Sequence, residues 1–330
     1  MIRFSSLGDV VMTTAVVEAL NRYAPEDHIY VLTKCTYSPV FDSDARISGV
    51  FAIKGNESPS QIVRILGRKK FDVVIDLHGT PRSIAVSALI TSPCKLRLNK
   101  HVIARRLMIW TRNRYRRRFD VLASYLQTLR PLGISVETLP KLAVDSAILE
   151  AAGRLLPAEL AGEQRGRVVG IAPGARHATK RWNEHAFARL ADELLNRGDL
   201  PVFIGDENDT AVIDRIGDLM TGSAQSLAGK IDLVDTIGVV SLVDGLVTND
   251  SGPMHLAGAL GVPFAAIFGP THPDLGFSPG YPSGVIVCSN VPCSPCSLHG
   301  AAPCRMKRRI CMDSLTWEQV LRALDEKMGA

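Results

Sequence analysis

Two glycine-centred segments carry the residue types from which anion sites are built. Asn249-Asp250-Ser251-Gly252-Pro253-Met254-His255 follows an apolar run and opens a helix, with Ser251 at the N-cap and Pro253 tolerated in the first turn. A helix N-terminus offers N–H groups and the positive end of the macrodipole, and Gly252 lets a phosphate approach the backbone closely. An ordinary capped helix has the same signature, so the segment alone does not define a ligand. Gly174-Ala175 with Lys180-Arg181-Trp182 supplies a second glycine turn with cations a few residues on, which suits a diphosphate. A solvated Lys-Arg pair at a helix start is the plainer alternative. No full Walker sequence and no G-x-G-x-x-G occur, which disfavours P-loop hydrolases and dinucleotide dehydrogenases.

Cys293, Cys296, Cys304 and Cys311 run as C-x2-C-x7-C-x6-C, with Cys288 just upstream, a spacing that can close a tetrahedral thiolate site for structural zinc. Pro292, Pro295 and Pro303 mark an irregular loop, so reduced thiols or a reversible disulfide compete with the metal. Cys35 and Cys94 read as core residues. Charge is concentrated as well. The net charge is +5, yet residues 95–118 hold ten Lys and Arg, among them Arg105, Arg106, Arg112, Arg114, Arg116, Arg117 and Arg118, and no acid. Without them the chain would carry −5, so one patch makes an acidic protein basic and points to a local anionic partner. Met108, Trp110 and Tyr115 lie among the cations, as in a segment that touches a headgroup region. No RNA or DNA recognition motif accompanies it, and nucleic acid is not expected as a partner.

Strands alternating with helices must position these loops. The first half reads as a short strand over 2–4, the tight loop Ser5-Ser6-Leu7-Gly8-Asp9, a helix with apolar residues at three-four spacing over 10–20, a strand over 28–33, a helix over 59–68 and a buried strand over 72–77. After a polar stretch at 157–167 the pattern restarts, with strands over 168–172, 201–204, 245–248 and 262–268 and helices over 183–196, 210–220 and 233–243. Right-handed βαβ units and parallel sheets follow. The expected fold is α/β, two doubly wound Rossmann-like domains over 1–160 and 161–330, with ligands at the carboxyl ends of the strands and the reacting site in the cleft where the domains face each other.

Taken together and in order, Ser5-Ser6-Leu7-Gly8-Asp9-Val10-Val11, Pro173-Gly174-Ala175 through Lys180-Arg181-Trp182, Asn249-Asp250-Ser251-Gly252-Pro253-Met254-His255-Leu256-Ala257 and Gly269-Pro270-Thr271-His272-Pro273 resemble the ADP-heptose:lipopolysaccharide heptosyltransferase family over nearly the whole chain. The resemblance implies a GT-B fold, acceptor on the N-terminal side, nucleotide sugar on the C-terminal side, and inversion at the anomeric carbon with no cofactor or catalytic metal. It implies that Asp9, beside Gly8, is the general base toward the acceptor hydroxyl; the plainer reading of Asp9 is a helix cap. Lys180, Ser251 and Gly252 would stabilise the leaving diphosphate, as part of a donor set with Gly174, Ala175 and Thr271. Glu207, or Asp209 in a shifted register, would bind the ribose, and Asp250 would orient the sugar hydroxyls. His255 would either contact phosphate or pack in the first turn. The opening strand is shorter than the family usually shows, as from a truncated start or a trimmed edge of the sheet, and His272 stands where a small or acidic residue is common.

The implied partners are an ADP-heptose donor, the lipopolysaccharide inner core and an anionic membrane surface. At 330 residues and 46% hydrophobic, the chain is neither disordered nor collagen-like, and no run reaches the length of a membrane span. No secretory signal pattern opens it, so a cytoplasmic site, peripheral at the inner membrane, is expected. The alternatives are a related GT-B transferase or epimerase using another nucleotide sugar, and a non-catalytic nucleotide-sugar binding protein.

Overall fold

The computed structural model describes residues 1–67, 69–111, 118–157 and 166–329. The chain forms two compact units, Met1–His101 with Asp120–Ala143, and Val102–Phe119 with Val144–Ala330. The sequence pattern places a single break near residue 160. Packing assigns residues from 144 onward to the second unit, because helix Ser146–Gly153 lies on helix Leu233–Leu242 so closely that a Cβ on Gly238 would come within 2.7 Å of Ala152.

The first unit contains β1 (Tyr30–Lys34), β2 (Gly49–Ile53), β3 (Val73–Asp76) and β4 (Cys94–Arg97). β1 pairs with β2 and β3 with β4, all in parallel. The short opening segment joins the two pairs: Ile2 bridges to both Leu32 and Asp76, its N–H donating to the Ile75 carbonyl at 2.8 Å, while the Arg3 N–H donates to Leu32 at 3.0 Å. The opening strand is therefore the middle of the sheet and not a trimmed edge. Ile2, Phe4, Leu32, Ile53, Ile62, Val74 and Val86 form the core around it. The helix expected over 10–20 is two helices, Leu7–Met12 and Thr14–Tyr23, parted at Thr13, whose hydroxyl donates back to the Val10 carbonyl.

The second unit holds β5 (Val168–Ala172), β6 (Leu200–Phe203), β7 (Gln225–Ser226), β8 (Gly245–Asn249), β9 (Phe264–Phe268) and β10 (Gly284–Cys288) in one parallel sheet of order β10-β9-β8-β5-β6-β7. Every residue of β5, β8 and β9 is buried, as a sheet covered by helices on both faces requires. In both units the strand order reverses beside the first strand, between residues 1–3 and β3 in one and between β5 and β8 in the other. Loops at the carboxyl ends of such neighbouring strands are where open α/β sheets bind ligands. Among the described residues, no helix is long and apolar enough to cross a membrane.

Candidate functional site

Asp9 stands at the switch point of the first unit. Helix Leu7–Met12 begins at Ser6, and Asp9 closes a capping box, its Oδ2 accepting from the Ser6 hydroxyl at 2.8 Å and the Ser6 N–H at 3.4 Å. Asp9 is therefore not the N-cap itself, which is Ser6, but the third residue of the helix reaching back to it, and the carboxylate has further partners. Arg3 Nη2 lies 2.6 Å from Oδ2, and the Tyr125 hydroxyl donates to Oδ1 at 3.1 Å. Arg3 is itself fixed by the Leu77 carbonyl at 2.6 Å. Burial alone would raise the Asp9 pKa; the Arg3 charge and the hydrogen bonds from Ser6 and Tyr125 outweigh it and hold the carboxyl below its ordinary value. Asp9 is thus a carboxylate at neutral pH, and its side chain remains 24% exposed. The neighbouring loop is anchored by Asp76, which accepts from the His78 and Gly79 N–H groups at 2.9 Å and from the Ser83 hydroxyl at 3.0 Å. The His78 ring packs against Phe4; burial, reinforced by Arg3 and Lys100, lowers its pKa to about 4, so it is neutral at pH 7.

In the second unit the loops after β5 and β8 are tied together by Asn249, which is fully buried. Its Nδ2 donates to the Pro173 carbonyl at 2.7 Å, and its Oδ1 accepts from the Trp182 N–H at 3.1 Å. That strap brings Lys180 to Asp250, with Nζ 2.7 Å from Oδ2, and the Thr271 hydroxyl donates to the same carboxylate oxygen. Lys180, Asp250 and Thr271 therefore converge, whereas the position of Ser251 is different. Ser251 occupies the N-cap of helix Gly252–Leu260, yet its hydroxyl caps no N–H and instead meets Thr248 Oγ1 at 3.2 Å and the Asn249 carbonyl at 3.3 Å. The first turn of this helix consequently has no side-chain cap, follows directly on the carboxylate that holds Lys180, and can receive a phosphate.

The remaining candidates divide. Gly174 is required sterically, since a Cβ there would fall 2.1 Å from Asp209 Oδ2; the Ala175 carbonyl accepts from Arg181 Nε at 3.0 Å. Asp209 is thereby pressed against the Gly174 turn, its pKa raised by burial and by Asp206, while Glu207 is exposed. His255 is buried with its ring against Tyr281. The four cysteines do not assemble a metal site. Among the described residues no three His, Cys, Asp or Glu side chains are grouped to hold a metal ion, and all seven cysteines are free thiols. Burial pushes the Cys311 thiol up to about 11 and raises Cys296 as well, so both are protonated at neutral pH. The loop that bears them instead packs on the segment after β9, through the Cys296 and Ser297 N–H groups to the Pro270 carbonyl and the Ser294 hydroxyl to Gly269. Cys35 is exposed and Cys94 half-buried, so neither is a core residue.

The basic patch also needs correction. Arg105 and Met108 face inward, Arg105 because its guanidinium donates to the Leu275 carbonyl at 3.0 Å and lies over the Phe277 ring at 4.4 Å. Arg106 is exposed, and Arg118 is exposed while ion-pairing with Asp274 at 3.3 Å. Arg112, Arg114, Arg116 and Arg117, with Tyr115, lie outside the described residues. Sequence reasoning overlooked Arg3 and Tyr125 as partners of Asp9. A signal for Arg3 was present, a lone cation inside an otherwise apolar strand; none existed for Tyr125, which is 116 positions from its partner.

Two parallel doubly wound units, each with its candidate residues at the carboxyl ends of the strands, are the architecture of the GT-B fold. The chain belongs to glycosyltransferase family 9 (heptosyltransferase), whose sequence profile matches residues 60–306. It is 26% identical over 286 residues to lipopolysaccharide heptosyltransferase 3 of Escherichia coli, covering 80% of this chain and 81% of that protein. Among solved structures, the family 9 glycosyl transferase of Veillonella parvula shares the fold with a TM-score of 0.81 at 21% identity, over 99% of this chain and 95% of that one. The ADP-heptose lipopolysaccharide heptosyltransferase II of E. coli does so with a TM-score of 0.75 at 19% identity, over 99% and 97%.

Proposed function

We propose that this glycosyltransferase moves L-glycero-D-manno-heptose from its ADP donor to the inner core of lipopolysaccharide, with inversion and without a catalytic metal, at the cytoplasmic face of the inner membrane. The observation that carries this reading is the Lys180–Asp250–Thr271 cluster beside the uncapped turn of helix Gly252–Leu260. The family, and the E. coli and V. parvula relatives, support it. In the reaction the acceptor hydroxyl oxygen attacks the anomeric carbon and its proton passes to Asp9. The bond from that carbon to the diphosphate breaks, and its electron pair leaves with the phosphate. Attack opposite the leaving group inverts the anomeric centre. Lys180 and the N–H groups at Gly252 meet the charge that grows on the diphosphate, the role a metal ion fills in other sites. Asp250 holds Lys180 in place and orients donor hydroxyls. Glu207, exposed beyond β6, takes the ribose, because Asp209 is committed to the Gly174 turn.

Asp9→Asn keeps the shape of the side chain and removes the base. Transfer should fall roughly 10²–10⁴-fold while ADP affinity stays within a few-fold of wild type. Near-normal turnover of this variant would remove Asp9 from the chemistry and leave it a capping residue.

A further inference from the structure

Helix Val102–Trp110 is bound to the second unit by one face, and its other face is exposed among the described residues. Arg105 and Met108 are buried, the former on Leu275 and Phe277. The chain returns through Phe119, whose N–H donates to the Asp274 carbonyl at 2.9 Å. On the opposite face Ile103 is 85% exposed, Leu107 50% and Trp110 81%, at positions three and four apart that line up along one side of a helix. The other large exposed apolar side chains among the described residues are scattered, apart from adjoining Val102. Scattered ones are ordinary; a contiguous stripe marks a surface that something covers. Arg106 is exposed in the same helix, and in the sequence this helix falls within residues 95–118, which hold ten Lys and Arg and no acid.

We propose that this stripe docks on an anionic phospholipid bilayer, with Ile103, Leu107 and Trp110 entering the boundary between headgroups and acyl chains and Arg106 remaining among the lipid phosphates. Charge selects the occupant: an apolar face set in a cation-rich, acid-free segment matches the surface of a negatively charged membrane. The contact belongs to the unit that carries Lys180 and Asp250, although the helix falls in the first half of the sequence. Its Arg105 anchor grips the same loop that supplies Thr271. The proposal rests on the reading of the acceptor as a membrane-borne saccharide.

The test compares the full chain with the triple variant Ile103→Ser, Leu107→Ser, Trp110→Ser, by co-sedimentation with vesicles of phosphatidylcholine containing phosphatidylglycerol and with pure phosphatidylcholine. Wild type should bind the anionic vesicles and shift its Trp emission to the blue. The triple variant should bind roughly 100-fold more weakly, retain thermal stabilisation by ADP, and still transfer to an acyl-free, water-soluble acceptor. Equal binding of the two proteins, or no binding by wild type, would overturn the proposal. So would a wild-type dimer in light scattering that the triple variant abolishes without any change in vesicle binding, since the occupant would then be a second copy. Transfer by wild type to the soluble acceptor tests the function separately: its failure with stripe-dependent vesicle binding intact would sink the heptose reading and leave the docking surface standing.

Discussion

Asp9 holds two roles that pull on its chemistry in opposite directions. As a cap and as the partner of Arg3 it is stabilised in its charged form, which makes it a dependable carboxylate and a weaker base than an isolated one. The consequence appears in the pH dependence. As the proposed base Asp9 must be deprotonated, so kcat/KM should rise with pH through its pKa, and because that pKa is lowered the acid limb should lie below the usual carboxylate range. Tyr125→Phe removes one donor to the carboxylate without adding a charge. The limb should then move to higher pH while the rate at neutral pH changes only a few-fold, which a kcat/KM profile from mildly to strongly acidic pH would read directly. An unmoved limb would mean that some other group titrates. Lys180 shows the complementary arrangement: it is fixed by Asp250, which Thr271 holds in turn, and in the proposed reaction such a cation would need little reorganisation as the diphosphate departs.

Elements whose signals are local could be read from the sequence, and those defined by distant partners could not. β5 begins and ends where its apolar run does, and β3, β6, β8 and β9 fall within two residues of their runs, since buried parallel strands are nearly continuous in apolar residues. β4 was hidden because Lys95 and Arg97 mark it as charged surface, and β7 has only Gln225 and Ser226. The loops proposed to receive the donor are marked in the sequence by Gly174, Gly252 and the Lys-Arg pair, whereas the failure of Ser251 to cap and the burial of Arg105 depend on neighbours that no spacing reveals. Asn249 is the clearest case of an element-level device, one amide spanning the carboxyl ends of β5 and β8. Asn249→Ala leaves the Pro173 carbonyl and the Trp182 N–H buried without that partner. The expected cost is about 3 kcal/mol, a fall in Tm of roughly 6–12 °C by calorimetry. ADP affinity should fall with it, because Lys180 loses its fixed position. A variant with unchanged Tm would show that the two loops are held by something else.

The two units repeat one topology, and in each the residues of interest follow the strands on either side of the order reversal: Asp9 and His78 in the first, Gly174 and Asp250 in the second. Alternation along the sequence revealed the two parallel sheets. It did not reveal that residues 102–111, 118–119 and 144–157 pack with the second unit, since the first of these exchanges begins and ends within a single basic stretch. This division of labour has a thermodynamic signature. Every proposed donor contact lies in the second unit, so ADP should stabilise that unit's unfolding transition and affect the first only through coupling. At 100 times its dissociation constant a ligand contributes ~2.7 kcal/mol, or roughly 5–10 °C for a unit of this size. Calorimetry of the full chain with ADP in EDTA should show that shift, and UDP at equal concentration should produce a smaller one. A shift that appears only when magnesium is restored would assign the diphosphate charge to a metal instead of Lys180 and the helix start. Equal shifts with ADP and UDP would keep the diphosphate site and discard adenine as what the protein selects.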